Sequence, residues 1–411
     1  YKEYTDAVVS YRHMAQYKYD NKNILDVFAV KLRNDKSIER ARSLQRSFIS
    51  KLLSSNNHDA AIVAFYCDND PRWRLSFVKL DYEFAGGCAK MNLTPAKRYS
   101  YLVGLGEPCH TAQEQLYHIL IEENCNPTLD KIEEAFSVEN VTKRFFAEYR
   151  EKYLKLKEYL DVNEAFSQEA QQHQFTSEQF AKKLMGQLAF LYFLQKKGWL
   201  GVKVVPHSIN KKQYDNAFYK TKASREVISR IFKQVAQAKF QLTINLLISK
   251  EFSDYDADVL AGCFRNCKSD DVLAEKWGDG TRIFIRDLFE SCNKLRGKSF
   301  FNDYLEPLFY EALNQKRGEN SYYKKFNCKI PFLNGGLFEP LENYDWGHTD
   351  FGIPNEIFSN RAEKGEREAD GILDIFDRYN FTMNEDEPLE REVAVDPEML
   401  GKIFENLLDT T

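Results

Sequence analysis

The chain has 411 residues, 43% of them hydrophobic and 14% aromatic, with a formal net charge of −5 and a pI near 5.9. That apolar content excludes wholesale disorder, and the length allows two or three domains. The acidic balance excludes a uniformly basic nucleic-acid binder, so any contact with a polyanion must come from a local patch.

Residues 1–85 alternate short strand-like runs with one basic helix. ILDVFAVKL (24–32) is rich in branched and aromatic residues and predicts a buried strand. SIERARSLQRSFISKLL (37–53) predicts a helix with Ser37 as N-cap and Ile38, Leu44, Phe48 and Leu52 on its apolar face. AAIVAFYC (60–67) predicts a second buried strand, and DNDP turns the chain into WRLSFVKLDYEF (73–84), which alternates like a half-exposed strand. Residues 86–128, with Gly86, Gly87, Gly104, Gly106, Pro95 and Pro108, are expected to be a loop-rich bridge. From 129 onward the period is helical. Residues 129–160 predict one short and one long amphipathic helix, and 177–199 a helix buried on most sides, stopped by Lys196, Lys197 and Gly198. Residues 203–274 are polar and weakly patterned, apart from a strand-like QLTINLLIS, and are expected to be an insertion. Helices resume in TRIFIRDLFESC (281–292) and NDYLEPLFYEALNQ (302–315), and Asn334-Gly335-Gly336 marks a turn. The last stretch opens a helix with Asp396 as N-cap and Pro397 at the first helical position. Its stripe of Met399, Leu400, Ile403, Phe404, Leu407 and Leu408 needs a partner surface, which is expected beyond Thr411; residues before Tyr1 are expected as well.

The expected fold class is α+β and predominantly helical: a small N-terminal α/β module (1–85), the bridge (86–128) and a helical connector domain (129–411) carrying the insertion. The eight cysteines are dispersed, with Cys263 and Cys267 as the one close pair and no second pair at zinc spacing. Free thiols and a cytoplasmic location are expected. No apolar run approaches the ~20 residues that span a bilayer, and no signal-peptide pattern opens the chain, so no membrane partner is expected.

A nuclease centre of the kind that pairs an acidic residue with an E-x-K triplet uses its carboxylates to hold Mg²⁺ and its lysine to polarise the attacking water. Ala29-Val30-Lys31 ends the first buried strand where such a triplet would sit, with Asp20 and Asp26 nearby and alanine in the glutamate position. Asp20, Asp26 and Lys31 are therefore the candidate catalytic set, in a degenerate form. Arg40, Arg42, Arg46 and Lys51 make a basic helix face, and Arg72, Arg74 and Lys79 a basic strand edge; both sets are candidate phosphate contacts on duplex DNA. Trp-Gly-Asp-Gly (277–280) lacks the lysine and hydroxyl of a phosphate loop and reads as a helix-entry turn. The seven histidines fall in no recognisable metal or nucleophile motif.

FLYFLQKKGWLGV (190–202), IPFLNGGLFEP (330–340) and EVAVDPEMLGKIFENLL (392–408), with SYLVGLGEPCHTAQEQL (100–116), KWGDGTRIFIRDLFESC (276–292) and ILDIFDRYNFTMNEDEPLE (372–390), resemble the N-terminal half of type IIG restriction–modification enzymes. The resemblance covers most of 60–202 and 276–411. It implies a PD-(D/E)xK-type nuclease module, from which Ala29 departs, and an adenine-specific DNA methyltransferase domain following the terminal helix. S-adenosylmethionine would bind in that following domain and Mg²⁺ in the nuclease. The chain holds no Asn-Pro-Pro, so no methyl-transfer residue is carried over, and no cofactor is assigned to this chain itself. The implied role is to join nuclease and methyltransferase and hold duplex DNA. The alternatives are a non-catalytic DNA- or protein-binding scaffold and an active Mg²⁺ endonuclease.

Overall fold

A computed structural model describes residues 4–5, 7–19, 24–33, 38, 42–80, 82–84, 91–93, 97–121, 126–206, 272–274, 276–333, 335–360, 369–382, 390–392 and 394–395. Asp20, Ser37, Arg40, the interior of 203–274 and the terminal helix expected at 396–408 lie outside the described residues. The fold is α+β and divides into two compact units, 1–150 with 375–411, and 151–374.

The first unit is built on a mixed sheet of six strands, β1 (Val8–Lys18), β2 (Ile24–Leu32), β3 (Ala60–Cys67), β4 (Asp70–Lys79), β7 (Lys97–Gly104) and β12 (Glu390–Glu392), in the order 1-2-3-4-7-12. Short ladders β5 (Tyr82–Phe84)/β6 (Met91–Leu93) and, in the other unit, β8 (Val204–Pro206)/β9 (Val272–Ala274) and β10 (Tyr322–Tyr323)/β11 (Cys328–Lys329) complete the strands. The β8/β9 ladder places the two ends of the 203–274 segment side by side. β2 and β3 run parallel, joined through helix α1 (Arg42–Asn56); β1 is an edge strand, antiparallel to β2 and mostly exposed. The bridge segment contributes β7 and helix α2 (His110–Ile121), because KRYSYLVG has the alternation a central strand needs between two neighbours.

Helix α1 buries Phe48, Ile49, Leu52 and Leu53 against Phe28, Val30 and Leu32 of β2 and Val63 and Phe65 of β3. Leu44, expected on that face, is 36% exposed. The buried stripe runs instead through Gln45, one position further round the helix, which adds Ile49 and Leu53 at i+4 and i+8.

β4 is central rather than half-exposed. Arg74 and Ser76 share the parity of Val78, and Arg98 and Ser100 that of Leu102, so all four lie on the α1 face of the sheet. There Arg74 Nη1 donates to Ser100 Oγ at 2.9 Å, and Arg98 donates to Ser76 Oγ at 3.1 Å and to Gln45 Oε1 at 2.6 Å. The Arg98 guanidinium also lies over the Phe65 ring at 5.1 Å. On the opposite face Phe77 and Tyr101 meet Phe136, with ring centroids 5.6 and 5.3 Å apart.

Helices α3 (Leu129–Glu134) and α4 (Val138–Asp161) follow the expected short–long pattern, α3 being capped by the Thr128 hydroxyl. Phe145 of α4 packs edge-on to Tyr379 at 5.0 Å, and Asn380 donates to the Leu102 and Pro108 carbonyls, tying 375–382 to the sheet unit.

The second unit centres on α6 (Ser177–Lys196), which follows α5 (Glu164–His173). Thr176 and Gln179 form a capping box at its start, and Gly198, at φ +70°, follows its end, the stop expected from the sequence. Phe166, Phe175, Phe180, Tyr344 and Phe351 form an aromatic cluster along its first half. Helix α7 (Phe284–Asn293) is followed by wider π-type winding over Phe301–Leu305 and Pro307–Leu313, where the proline cannot donate an amide to the helical ladder. Short helices α8 (Asn355–Phe358) and α9 (Ile372–Arg378) complete the elements, and among the described helices none is long and apolar enough to cross a membrane.

Candidate functional site

Asp26, near the start of β2, is 1% exposed and sits between two histidines. His13 Nε2 of β1 lies 2.8 Å from its Oδ1, and His58 Nδ1, two residues before β3, lies 2.5 Å from Oδ2. The antiparallel β1/β2 register sets Gln16 opposite Asp26 and His13 opposite Phe28, so His13 is a diagonal neighbour on the same face. The parallel β2/β3 pairing brings His58 in from the other side, and Asp59 fixes the strand start by accepting the Ile24 amide at 3.0 Å. His58 Nε2 lies 3.4 Å from Gln16 Nε2; with the amide as donor, His58 carries its proton on Nδ1, toward Asp26. A buried carboxylate thus orients two imidazoles, and His13 keeps 48% of its side chain exposed. Such a carboxylate–imidazole pair can accept or pass a proton at the surface.

Lys31 belongs to a different place. It lies five residues along β2 from Asp26, hence on the opposite face and roughly 16 Å further along at 3.3 Å per residue. Its ammonium pairs with Asp68 at 2.7 Å, and that hydrogen bond raises its pKa, keeping it a cation. Asp26 and Lys31 are therefore not brought together as one catalytic set, and Asp20 lies outside the described residues. Nor do these residues fit Mg²⁺, which wants several oxygen ligands in octahedral array. Both Asp26 oxygens face imidazole nitrogens, and among the described residues no group of three or more His, Cys, Asp or Glu could hold a metal ion.

The expected phosphate contacts fare unequally. Arg74 is 0% exposed and cannot reach a phosphate; its strand position turns it into the polar layer under α1. Arg72 is held by Asp70 at 2.8 Å and Glu107 at 3.3 Å, and Lys79 by Glu133 at 2.6 Å. Lys51 lies over the Tyr4 ring at 5.5 Å. Arg46 is half-buried and Arg42 opens α1; of the Arg42 side chain nothing is described. Of the strand edge that looked basic in sequence, Arg72 and Lys79 are paired with carboxylates and Arg74 is buried against Ser100. The relation of the two histidines to Asp26 exists only through strand register, and nothing in the spacing of His13, Asp26 and His58 signals it.

Over 136 residues the chain is 32% identical to a Methanocaldococcus jannaschii protein that carries the name of a type II restriction enzyme and methyltransferase. The match covers 31% of this chain and 10% of that protein, so the chain spans about a tenth of the relative's length. No protein-family model and no solved structure matches the chain. The similarity relates the chain, in that stretch, to restriction–modification enzymes.

Proposed function

We propose that the chain is the N-terminal part of a DNA restriction–modification enzyme, joining a nuclease-like module to an adenine-specific methyltransferase and holding duplex DNA. The observation that carries this reading is the 32% identity to the M. jannaschii protein, together with the family motifs spread over both units. S-adenosylmethionine has no residue assigned to it in this chain. A second reading, a DNA-gripping module without cleavage, is favoured by the separation of Asp26 from Lys31 and by the imidazoles that occupy the carboxylate.

Two measurements on the 411-residue chain decide between them. Duplex DNA binding is expected at low salt, with affinity falling steeply as salt rises, because an acidic chain can hold a polyanion only through local cations. Supercoiled plasmid incubated with Mg²⁺ is expected to stay intact. Absence of duplex binding at any salt overturns the whole proposal. Nicking that disappears in Lys31→Ala would instead establish the endonuclease and reject the gripping module.

A further inference from the structure

The second unit holds a cavity of about 590 Å³, within the range of small-molecule sites. Trp199, Trp277 and Phe332 line it, together with Lys316, Arg317 and a single carboxylate, Glu319. Trp277 is 39% and Phe332 38% exposed, in a unit otherwise rich in ring–ring packing. Among the described residues none of the three stacks on another aromatic ring. What covers the two indoles is cationic: Lys329 Nζ lies 4.0 Å from the Trp277 centroid, and Lys197 Nζ 5.0 Å from that of Trp199.

The cavity is built rather than incidental. Its two tryptophans sit on glycine turns pressed together: the Gly278 and Gly280 amides both donate to the Gly198 carbonyl, at 3.1 and 2.8 Å. A Cβ on Gly198 would meet the Gly278 oxygen at 2.2 Å, and one on Gly280 the Leu200 oxygen at 2.2 Å. The opposite wall is tied by Arg317, whose terminal nitrogens donate to the carbonyls of Glu311, Gln315, Ser321 and Ile330, at 2.8–3.5 Å. Those acceptors are neutral, and although burial lowers the pKa of Arg317, a guanidinium remains a cation beside the cavity. Burial lowers the pKa of Lys329, which has no ion pair among the described residues.

Half-exposed rings bordered by lysines that have no ion pair among the described residues suit one ligand chemistry, an aromatic ring with an anion attached. A purely apolar guest would leave the lysines without a counterion, and a plain anion would leave the indoles bare. We infer that this cavity receives an unpaired nucleobase, stacked on Trp277 with its flanking phosphates on Lys316 and Lys329. The choice of a DNA strand rests on the proposed function; the base-plus-phosphate chemistry rests on the cavity itself. The role would be to hold single-stranded DNA, or a base swung out of a duplex, while the rest of the enzyme acts.

The test is intrinsic tryptophan fluorescence of the full chain titrated with four probes: a 12-nucleotide single strand, a blunt duplex, the same duplex with one central unpaired base, and AMP. The single strand and the unpaired-base duplex are expected to quench the indoles and to bind more tightly than the blunt duplex. Trp277→Leu should weaken those two probes about tenfold, the scale of one lost base–aromatic stack, and leave the blunt duplex unchanged. Phe332→Ala, whose ring is 38% exposed, serves as a second variant should Trp277→Leu fail to fold. Lys329→Gln should lower the salt slope by about one. Equal affinity for paired and unpaired probes, insensitive to these substitutions, overturns the inference and leaves the DNA-holding reading standing. Quenching by AMP but by no oligonucleotide overturns the strand assignment in favour of a free-nucleotide site. Failure to bind any nucleic acid overturns both readings together.

Discussion

Glu306 shows how far a single side chain can depart from its ordinary chemistry here. It lies 1% exposed at the junction of the two π-wound segments and accepts from the Tyr344 hydroxyl at 2.7 Å, which in turn meets Tyr310 at 3.1 Å. Burial pushes its pKa up to about 9, with the Tyr344 hydrogen bond pulling the other way. A carboxyl whose folded pKa exceeds its unfolded value contributes stability that is fully present below about 4.5 and is lost as pH rises toward 9. Between pH 5 and pH 8 this single group should therefore cost the folded state on the order of 2–4 kcal/mol. Glu306→Gln keeps an acceptor for Tyr344 and cannot ionise. Its urea midpoint is expected to match the parent near pH 5 and to exceed it near pH 8. Parallel pH profiles for the two proteins would show that Glu306 is not held neutral. Nothing in the sequence marks Glu306 as unusual, since DYLEPLFYEAL reads as an amphipathic helix with a solvated acid. The same is true of Arg74, whose neighbours Arg72 and Trp73 suggested a surface strand. Only the placement of β4 between β3 and β7 turns its alternate side chains inward.

At the scale of elements, the helical half of the chain was the more legible. The Lys196-Lys197-Gly198 stop is a local signal that needs no knowledge of the fold, whereas the Thr128 and Thr176 caps emerge from the structure. The sheet was legible as strands but not as a sheet. β12 lies beside β7 although Glu390 comes 286 positions after Gly104, and no local pattern reports such a pairing. The candidate site suffered for the same reason, because Asp26, His13 and His58 meet through register on three segments. The glycine contact between 198 and 280 is a further long-range feature, and it carries a sharp expectation. A methyl group on Gly280 would run into two backbone oxygens, at 2.2 and 2.5 Å, and neither can swing aside as a side chain could. Gly280→Ala should destabilise the chain by about 1–3 kcal/mol in urea unfolding, the usual cost of overpacking, and shift the indole emission. Gly335→Ala, where nothing lies within 4 Å, is the control and should be near neutral. Similar midpoints for the two variants would reject the glycine–glycine packing.

At the scale of the whole molecule the issue is where an acidic chain could hold DNA. With a net charge of −5, long-range attraction is unfavourable, and binding has to come from cations that are not already neutralised by carboxylates. The first unit uses Lys31, Arg72 and Lys79 in ion pairs, and each would have to give up a carboxylate before meeting a phosphate. The second unit concentrates Lys316, Arg317, Lys324, Lys325 and Lys329 within fifteen residues, against one acid, Glu319. The terminal nitrogens of Arg317 donate to carbonyl dipoles, which do not cancel its charge. Among the described residues Lys316 and Lys329 have no carboxylate ion pair for a phosphate to displace, so the second unit should contribute more of the counterion release. Neutralising pairs of lysines tests this directly. The double variant Lys316→Gln/Lys329→Gln should reduce the slope of log affinity against log salt by about two for unpaired-base DNA, whereas Lys31→Gln/Lys79→Gln should change it by much less. The reverse ranking, measured by fluorescence anisotropy across a salt series, would place the DNA on the sheet unit and return the basic strand edge to the role its sequence suggested.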